Sequence, residues 1–300
     1  MFSRVSDVQI SSQVSANLAR VQLRLQELSE QASSGVRLNR PSDDPAGAGT
    51  VIRSHSVINA LGQDARAASF ARGFLGAQDG VLDDAENIVT RAREIAVQQA
   101  NGVASDADRA AAATEAHELL SALVAVGNSE LSGRRLFSSG EDAVPGAEPF
   151  SHPDDVGFDP ANPYSGSTTP LDVEIGSGRL VRVTTTGSDV FGRAIVALDD
   201  LETRLQAGTD PSASLTALEL SAADISTERS SIGARVQSLD ERTGQIDKTE
   251  LATKEIINEA SGADIVGIVT SLVALQTQLQ ISAAASKQVL GANLASMLQV

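Results

Sequence analysis

Apolar residues recur along this chain at helical spacing over most of its length. Near the start, Val14, Leu18, Val21, Leu25 and Leu28, continued by Ala32, follow at steps of 4, 3, 4, 3 and 4. That spacing gathers apolar side chains into a seam along one side of a helix, as in coiled coils. Gly35 comes next and predicts the helix stop. Near the end, Ile265, Ile268, Leu272, Leu275, Leu279 and Ala283 repeat the pattern at steps of 3, 4, 3, 4 and 4, and Leu290, Leu294 and Met297 extend it with a small drift. Two such seams at opposite ends of one chain predict that the terminal helices pair. Residues 1–40 and 261–300 then form one terminal coiled-coil domain.

Between these ends the spacing stays helical. Asp44 followed by Pro45 is an N-cap with proline at the first helical position. Val51, Ile58, Leu61, Ala65, Ala68 and Leu75 form one stripe, and Val81, Ala85, Ile88, Ala92 and Ile95 another, up to Asn101-Gly102. Ser105, with Asp108 three residues on, resembles a capping box. The seam of Ala112, Ala116, Leu119, Leu123 and Val126 follows and stops at Gly127-Asn128. At about residue 138 the periodicity disappears. The next thirty or so positions hold six acidic residues and most of the nine prolines. Leu171, Val173 and Ile175 then alternate with Asp172 and Glu174, and a Gly176-Ser177-Gly178 turn leads to Leu180, Val181 and Val183, which predicts a β-hairpin. Helix resumes after Ser188 with Phe191, Ile195, Leu198, Leu201 and Leu205. A last long helix from about Ser212 carries Leu218, Ile225, Ile232, Val236, Leu239 and Ile246. The expected fold is mainly α: an elongated coiled-coil and helical-bundle rod with paired N- and C-terminal helices. A bundle of 41–137 plus 188–260 carries a small β-rich insert, 138–187, at its outer tip.

Charge sharpens this picture. The chain has 300 residues and a formal charge of −16, yet 1–40 is net +2 and 261–300 holds only Asp264 and Lys287. Soluble helices normally carry charge on their outward face. A forty-residue segment with two charged side chains therefore needs a cover, from this chain, from another copy, or from both. So acidic a chain disfavours nucleic acid and anionic lipid, whose binding rests on clustered Lys and Arg. No run of consecutive apolar residues approaches the ~18 that a membrane span needs. The first thirty residues carry six charges and show no apolar core of a cleavable secretory signal. Neither nucleic acid nor membrane is an expected partner.

The residues of enzyme chemistry are sparse. Cysteine is absent, which excludes thiolate metal sites and cysteine nucleophiles. His117-Glu118 begins like a zinc-protease helix, but Ser121 stands where the second histidine belongs, and His55 and His152 have no partner at ligand spacing. Asp83, Asp84 and Glu86 lack the glycine turn of a calcium loop and read as a solvated face. Gly47-Ala48-Gly49 begins a dinucleotide fingerprint, but Ile52 occupies the place of its last glycine. No catalytic, metal or cofactor-binding residue is assigned, and no enzyme activity is expected. The candidate site is an assembly interface made of Val14, Leu18, Val21, Leu25, Leu28, Ile265, Ile268, Leu272, Leu275, Leu279, Leu290 and Leu294.

Several motifs together resemble the bacterial flagellin superfamily. Ser33-Ser34-Gly35-Val36-Arg37-Leu38-Asn39-Arg40-Pro41-Ser42-Asp43-Asp44-Pro45-Ala46-Gly47-Ala48 is similar to the motif that follows the first helix in that superfamily. Gln98-Gln99-Ala100-Asn101-Gly102 resembles the end of its long helix. Ile232-Gly233-Ala234-Arg235 with Leu239 resembles its returning helix, and the run from Ser271 to Leu298 its C-terminal helix. The resemblance covers 1–137 and 188–300. Two prolines bracket Ser42-Asp43-Asp44, and Gly133-Arg134-Arg135-Leu136-Phe137-Ser138 is followed by Glu148-Pro149-Phe150. These features are similar to the hook-associated protein 3 family of the hook–filament junction, while the last forty residues look as much like a filament flagellin. The resemblance implies a structural subunit exported through the flagellar type III route and secreted to the flagellum. Its implied partners are copies of itself in a ring, a neighbouring hook-associated protein, flagellin and a flagellar export chaperone. A filament flagellin with a short outer domain is the alternative.

Overall fold

The computed structural model describes residues 2–100, 105–138, 140, 142–144, 146–176 and 178–298; side chains are described from 12 to 285, except at the omitted positions, and at 287. Its elements in chain order are α1 (Phe2–Ser34), α2 (Pro45–Ala100), α3 (Asp106–Gly127), β1 (Glu130–Leu131), β2 (Arg134–Arg135), β3 (Asp172–Glu174), β4 (Leu180–Arg182), α4 (Gly187–Ala207), α5 (Ser212–Ser261) and α6 (Ile265–Leu298). The mainly α architecture expected from periodicity is the one observed. The chain divides into two compact units, one of residues 1–59 with 249–300 and one of 60–248, and the boundary falls inside α2 and inside α5.

Local chemistry sets the helix ends. In the loop before α2, the Asp44 carboxylate accepts from the Gly47 N–H at 2.9 Å, and in the turn before α6 Asp264 accepts from Gly267 at 3.1 Å. Each satisfies one of the backbone donors that a helix start leaves unpaired. Glycine at the third helical position has a reason in both places. A Cβ there would stand 2.7 Å from the capping carboxylate, too close for any side chain. Ser105 and Asp108 form a reciprocal capping box on α3. Gly35 ends α1 at φ 69°, the left-handed conformation that costs glycine least.

In the 60–248 unit the core is a stripe of α2 (Leu75, Leu82, Ala85, Val89, Ala92) packed with residues of α3, α4 and α5. On α5 the buried residues Leu218, Ile225, Ile232, Leu239 and Ile246 recur every seven positions, so one face stays covered over eight turns. The predicted hairpin is present as β3 and β4, antiparallel, with Val173 opposite Val181. A second hairpin, β1–β2, pairs Leu131 with Arg134 across Ser132-Gly133, both at positive φ.

The 138–187 segment is built into this core. Phe137 meets Phe191 edge-to-face at 4.7 Å, and Phe150 packs on Phe191 and Tyr164 at 5.7 and 5.1 Å. The buried Asn128 side chain accepts from the Phe150 N–H and donates to its carbonyl, both at 2.9 Å. The Tyr164 hydroxyl donates toward the carbonyls of Phe137 and Ser167. The scarce aromatics of the chain are thus concentrated where irregular backbone must be held against helices.

Candidate assembly interface

Helices α1 and α6 pack on each other within the 1–59 and 249–300 unit. On α1, Leu28 is buried and Val14, Leu18, Val21 and Leu25 are half-buried, while the residues between them face outward apart from the helix end. On α6, Ile268 is buried and Leu272, Leu275 and Leu279 are half-buried. Ile265 departs from the seam expected of it. It is the first residue of α6 and 43% exposed, and Ile268, one turn on, is the first to meet cover. Leu290 and Leu294 lie outside the described side chains.

The half-burial has a geometric cause. A helix pair covers one side of each partner, so α6 keeps another apolar side open. Val266 is 79% exposed, Val269 49%, Val273 58% and Ile281 65%. Steps of 3, 4 and 8 place these four on one face, turned largely away from the covered stripe. Fully burying a Val or Ile is worth roughly 1.5–3 kcal/mol, so this face represents several kcal/mol of unrealised burial. The missing charge marks the segment in the sequence, but the two faces are distinct only in the structure.

Over Ile265–Ala285, α6 is long and apolar enough to cross a bilayer by length and composition. No long run of consecutive apolar residues marks it in the sequence, because Gly267, Thr270, Ser271, Thr277 and the glutamines interrupt the apolar positions. The hydroxyls of Thr270, Ser271 and Thr277 are satisfied inside the helix, on the carbonyls four residues back. Gln276, Gln278 and Gln280 cannot be satisfied that way and would be costly in hydrocarbon.

The linkers on either side of the helix pair are joined to each other. Val36 and Gly262 form an antiparallel bridge, the Arg37 N–H donates to Ser261 O at 2.7 Å, and the Ala263 N–H to Gly35 O at 3.1 Å. The Arg37 guanidinium donates to Ala260 O at 2.9 Å and lies 3.6 Å from Asp44. The Gly47 N–H foremost, with Arg37 helping, holds the Asp44 carboxyl below its ordinary pKa. The 33–48 motif therefore works as a clamp: it ends α1, starts α2, and grips the turn from which α6 departs.

The other residues weighed as chemistry are absorbed into packing. Arg229 of α5 reaches Asp79 at 3.1 Å, Asp83 at 2.9 Å and Glu86 at 2.6 Å on α2, so part of the acidic run neutralises a cation of the protein itself. Those three carboxylates push the Arg229 pKa up. His117 stands between Glu202 and Asp154. No group of three metal-ligating side chains with suitable geometry occurs among the described residues.

The terminal helices pair, the 35–48 loop clamps them, and an irregular segment is inserted between the helices of the other unit. Residues 5–141 match the family described as bacterial flagellin N-terminal helical region, so over that stretch the chain carries the flagellin N-terminal domain. It is 39% identical over 104 residues to the "Flagellar filament 41 kDa core protein" of Borreliella burgdorferi, covering 35% of this chain and 29% of that protein. It is 28% identical over 191 residues to "Flagellar hook-associated protein 3" of Salmonella typhimurium, covering 63% and 56%. The matched regions thus span less than two thirds of these relatives' own lengths. Among solved structures, a flagellar hook-associated protein from Vibrio parahaemolyticus superposes with a TM-score of 0.65 at 18% identity, over 73% of this chain and all of that one. The flagellar junction protein FlgL from Legionella pneumophila does so with 0.59 at 15%, over 71% and 100%. At these identities the likeness is one of fold.

Proposed function

We propose that this protein is a structural subunit of the bacterial flagellum, an exported adaptor at the hook–filament junction that assembles by packing of its terminal helices. The observation that carries the reading is the α1–α6 pair with its second apolar face exposed on α6. A subunit that finishes burying that face only in contact with neighbours gains most of its association energy on assembly. The likeness in fold to hook-associated proteins along the full length of those structures supports the junction position. Copies of itself in a ring, a neighbouring hook-associated protein on one side and flagellin on the other are the partners this position requires. An export chaperone would cover the same apolar faces before assembly. The role is mechanical, with no reaction catalysed and no cofactor.

A filament flagellin with a short outer domain is the second reading, favoured by the higher identity, over shorter stretches, to filament core proteins. Immunogold labelling of intact flagella with antibody against residues 138–189 separates the two. A single spot where hook meets filament is expected; label along the whole filament would make this a flagellin, and unlabelled flagella would overturn both.

A further inference from the structure

We propose that His117 is a proton-operated latch that fastens the 151–163 loop to α3 and α4 while its ring is doubly protonated, and lets the loop go when the ring is neutral. The Nδ1 atom lies 3.0 Å from Glu202 Oε2 on α4, and Nε2 lies 3.1 Å from Asp154 Oδ1 in the loop. A neutral imidazole has one N–H, so it serves only one of these two carboxylates. Serving both needs the imidazolium. The other groups around the ring agree. Asp199 lies one turn before Glu202 on α4, and Gln206 donates to Glu202 Oε1 at 2.8 Å. In the loop, His152 Nδ1 faces the Asp154 N–H at 3.3 Å and the other oxygen of its carboxylate, Oδ2, at 3.5 Å. Along α3, Arg109 lines the same cleft and holds Asp106 at 2.5 Å. The hydrogen bond to Glu202, with its charge and that of Asp154, holds the His117 pKa above its usual 6.5.

The direction of the switch follows from the sign. A raised histidine pKa gives stabilisation that is complete below the unfolded value, about 6.5, and is lost as pH rises through the folded value. On deprotonation the bond to Asp154 breaks first. Its side chain is 68% exposed and rehydrates easily, whereas Glu202 is 16% exposed and needs its donor. The loop is hinged at the Phe150–Tyr164 bridge and braced internally by Asp155 N–H to His152 O and Phe158 N–H to Asp155 O. It therefore swings as a body, with the partly buried Phe158 as its remaining apolar anchor. His117 and Glu202 also line a cleft of about 660 Å³ between α3 and α4, floored by Ala113 and Leu205.

The test uses the full chain, labelled with ¹⁵N at histidine. Long-range ¹H–¹⁵N spectra across a pH series should show His117 titrating above its reference value, with both ring nitrogens protonated on the acid side. Amide exchange in 152–158, corrected for intrinsic base catalysis, should rise severalfold as pH passes that titration. His117→Gln should leave this corrected exchange high at every pH, with far-UV circular dichroism unchanged. Asp154→Asn, which keeps the loop's shape, should lower the His117 pKa. A His117 titration at or below the reference, an unshifted pKa in Asp154→Asn, or the same exchange profile in His117→Gln and the natural chain would each overturn the latch.

Discussion

Single residues in this protein earn their place by being buried, capping or bridging. Phe137 is buried against Phe191 where the chain leaves its helices. Phe137→Ala should therefore cost about 3–5 kcal/mol of stability, read as a shift of the urea midpoint. Phe70→Ala, at a site 44% exposed, should move it far less. Asp44 tests the clamp. Its carboxyl pKa lies below 3.8, so its contribution is present above that ordinary value and disappears as pH falls through the folded one. Asp44→Ala should lower Tm at neutral pH, and the difference from the natural chain should close in acid; a constant difference would mean the charge is irrelevant.

Among the elements, α6 is the one whose surroundings are incomplete. Its inner stripe needs α1, and its outer stripe is open to water. Leu275→Asp places a charge in the inner stripe, where desolvation opposes it and α1 offers apolar partners. It should separate α1 from α6 and abolish assembly, while the 60–248 unit keeps its own core and unfolding transition. Limited proteolysis measures the first effect and calorimetry the second. A variant that still builds a filament would show that the seam does not drive assembly. Val273→Asp, on the outer stripe, should leave the α1–α6 pair intact and impair only association between copies, seen by light scattering.

At the scale of the whole molecule, the −16 charge and the nearly uncharged C-terminal segment oppose each other. Repulsion between acidic bodies keeps subunits apart, while apolar ends favour association. Raising salt screens the repulsion within a Debye length of about 10 Å or less and leaves apolar burial intact; sulfate strengthens it. Self-association of the purified chain should therefore increase with ionic strength and more with sulfate than with chloride, followed by sedimentation. Weakening with salt would mean that ion pairs dominate the interface.

The sequence by itself determined the helices, the caps at Asp44 and Ser105, and the apolar stripes that recur along them. These depend on residues three, four or seven positions apart, as in Ser105 with Asp108 or Ile225 with Ile232, and such spacing is written directly in the chain. The hairpin at 172–182 was legible for the same reason, through alternation and a glycine turn. Contacts across long separations decided the rest. His117 meets residues 37 and 85 positions away, and Arg229 reaches across about 150 to the carboxylates of α2. Neither pairing has a period that a sequence reveals. The proline-rich stretch looked like a loop without periodicity, and only packing of Phe150 and Tyr164 on Phe191 joined it to the helical core. The two apolar faces of α6 likewise became distinct only once α1 covered one of them, because burial belongs to a pair of surfaces and not to a residue.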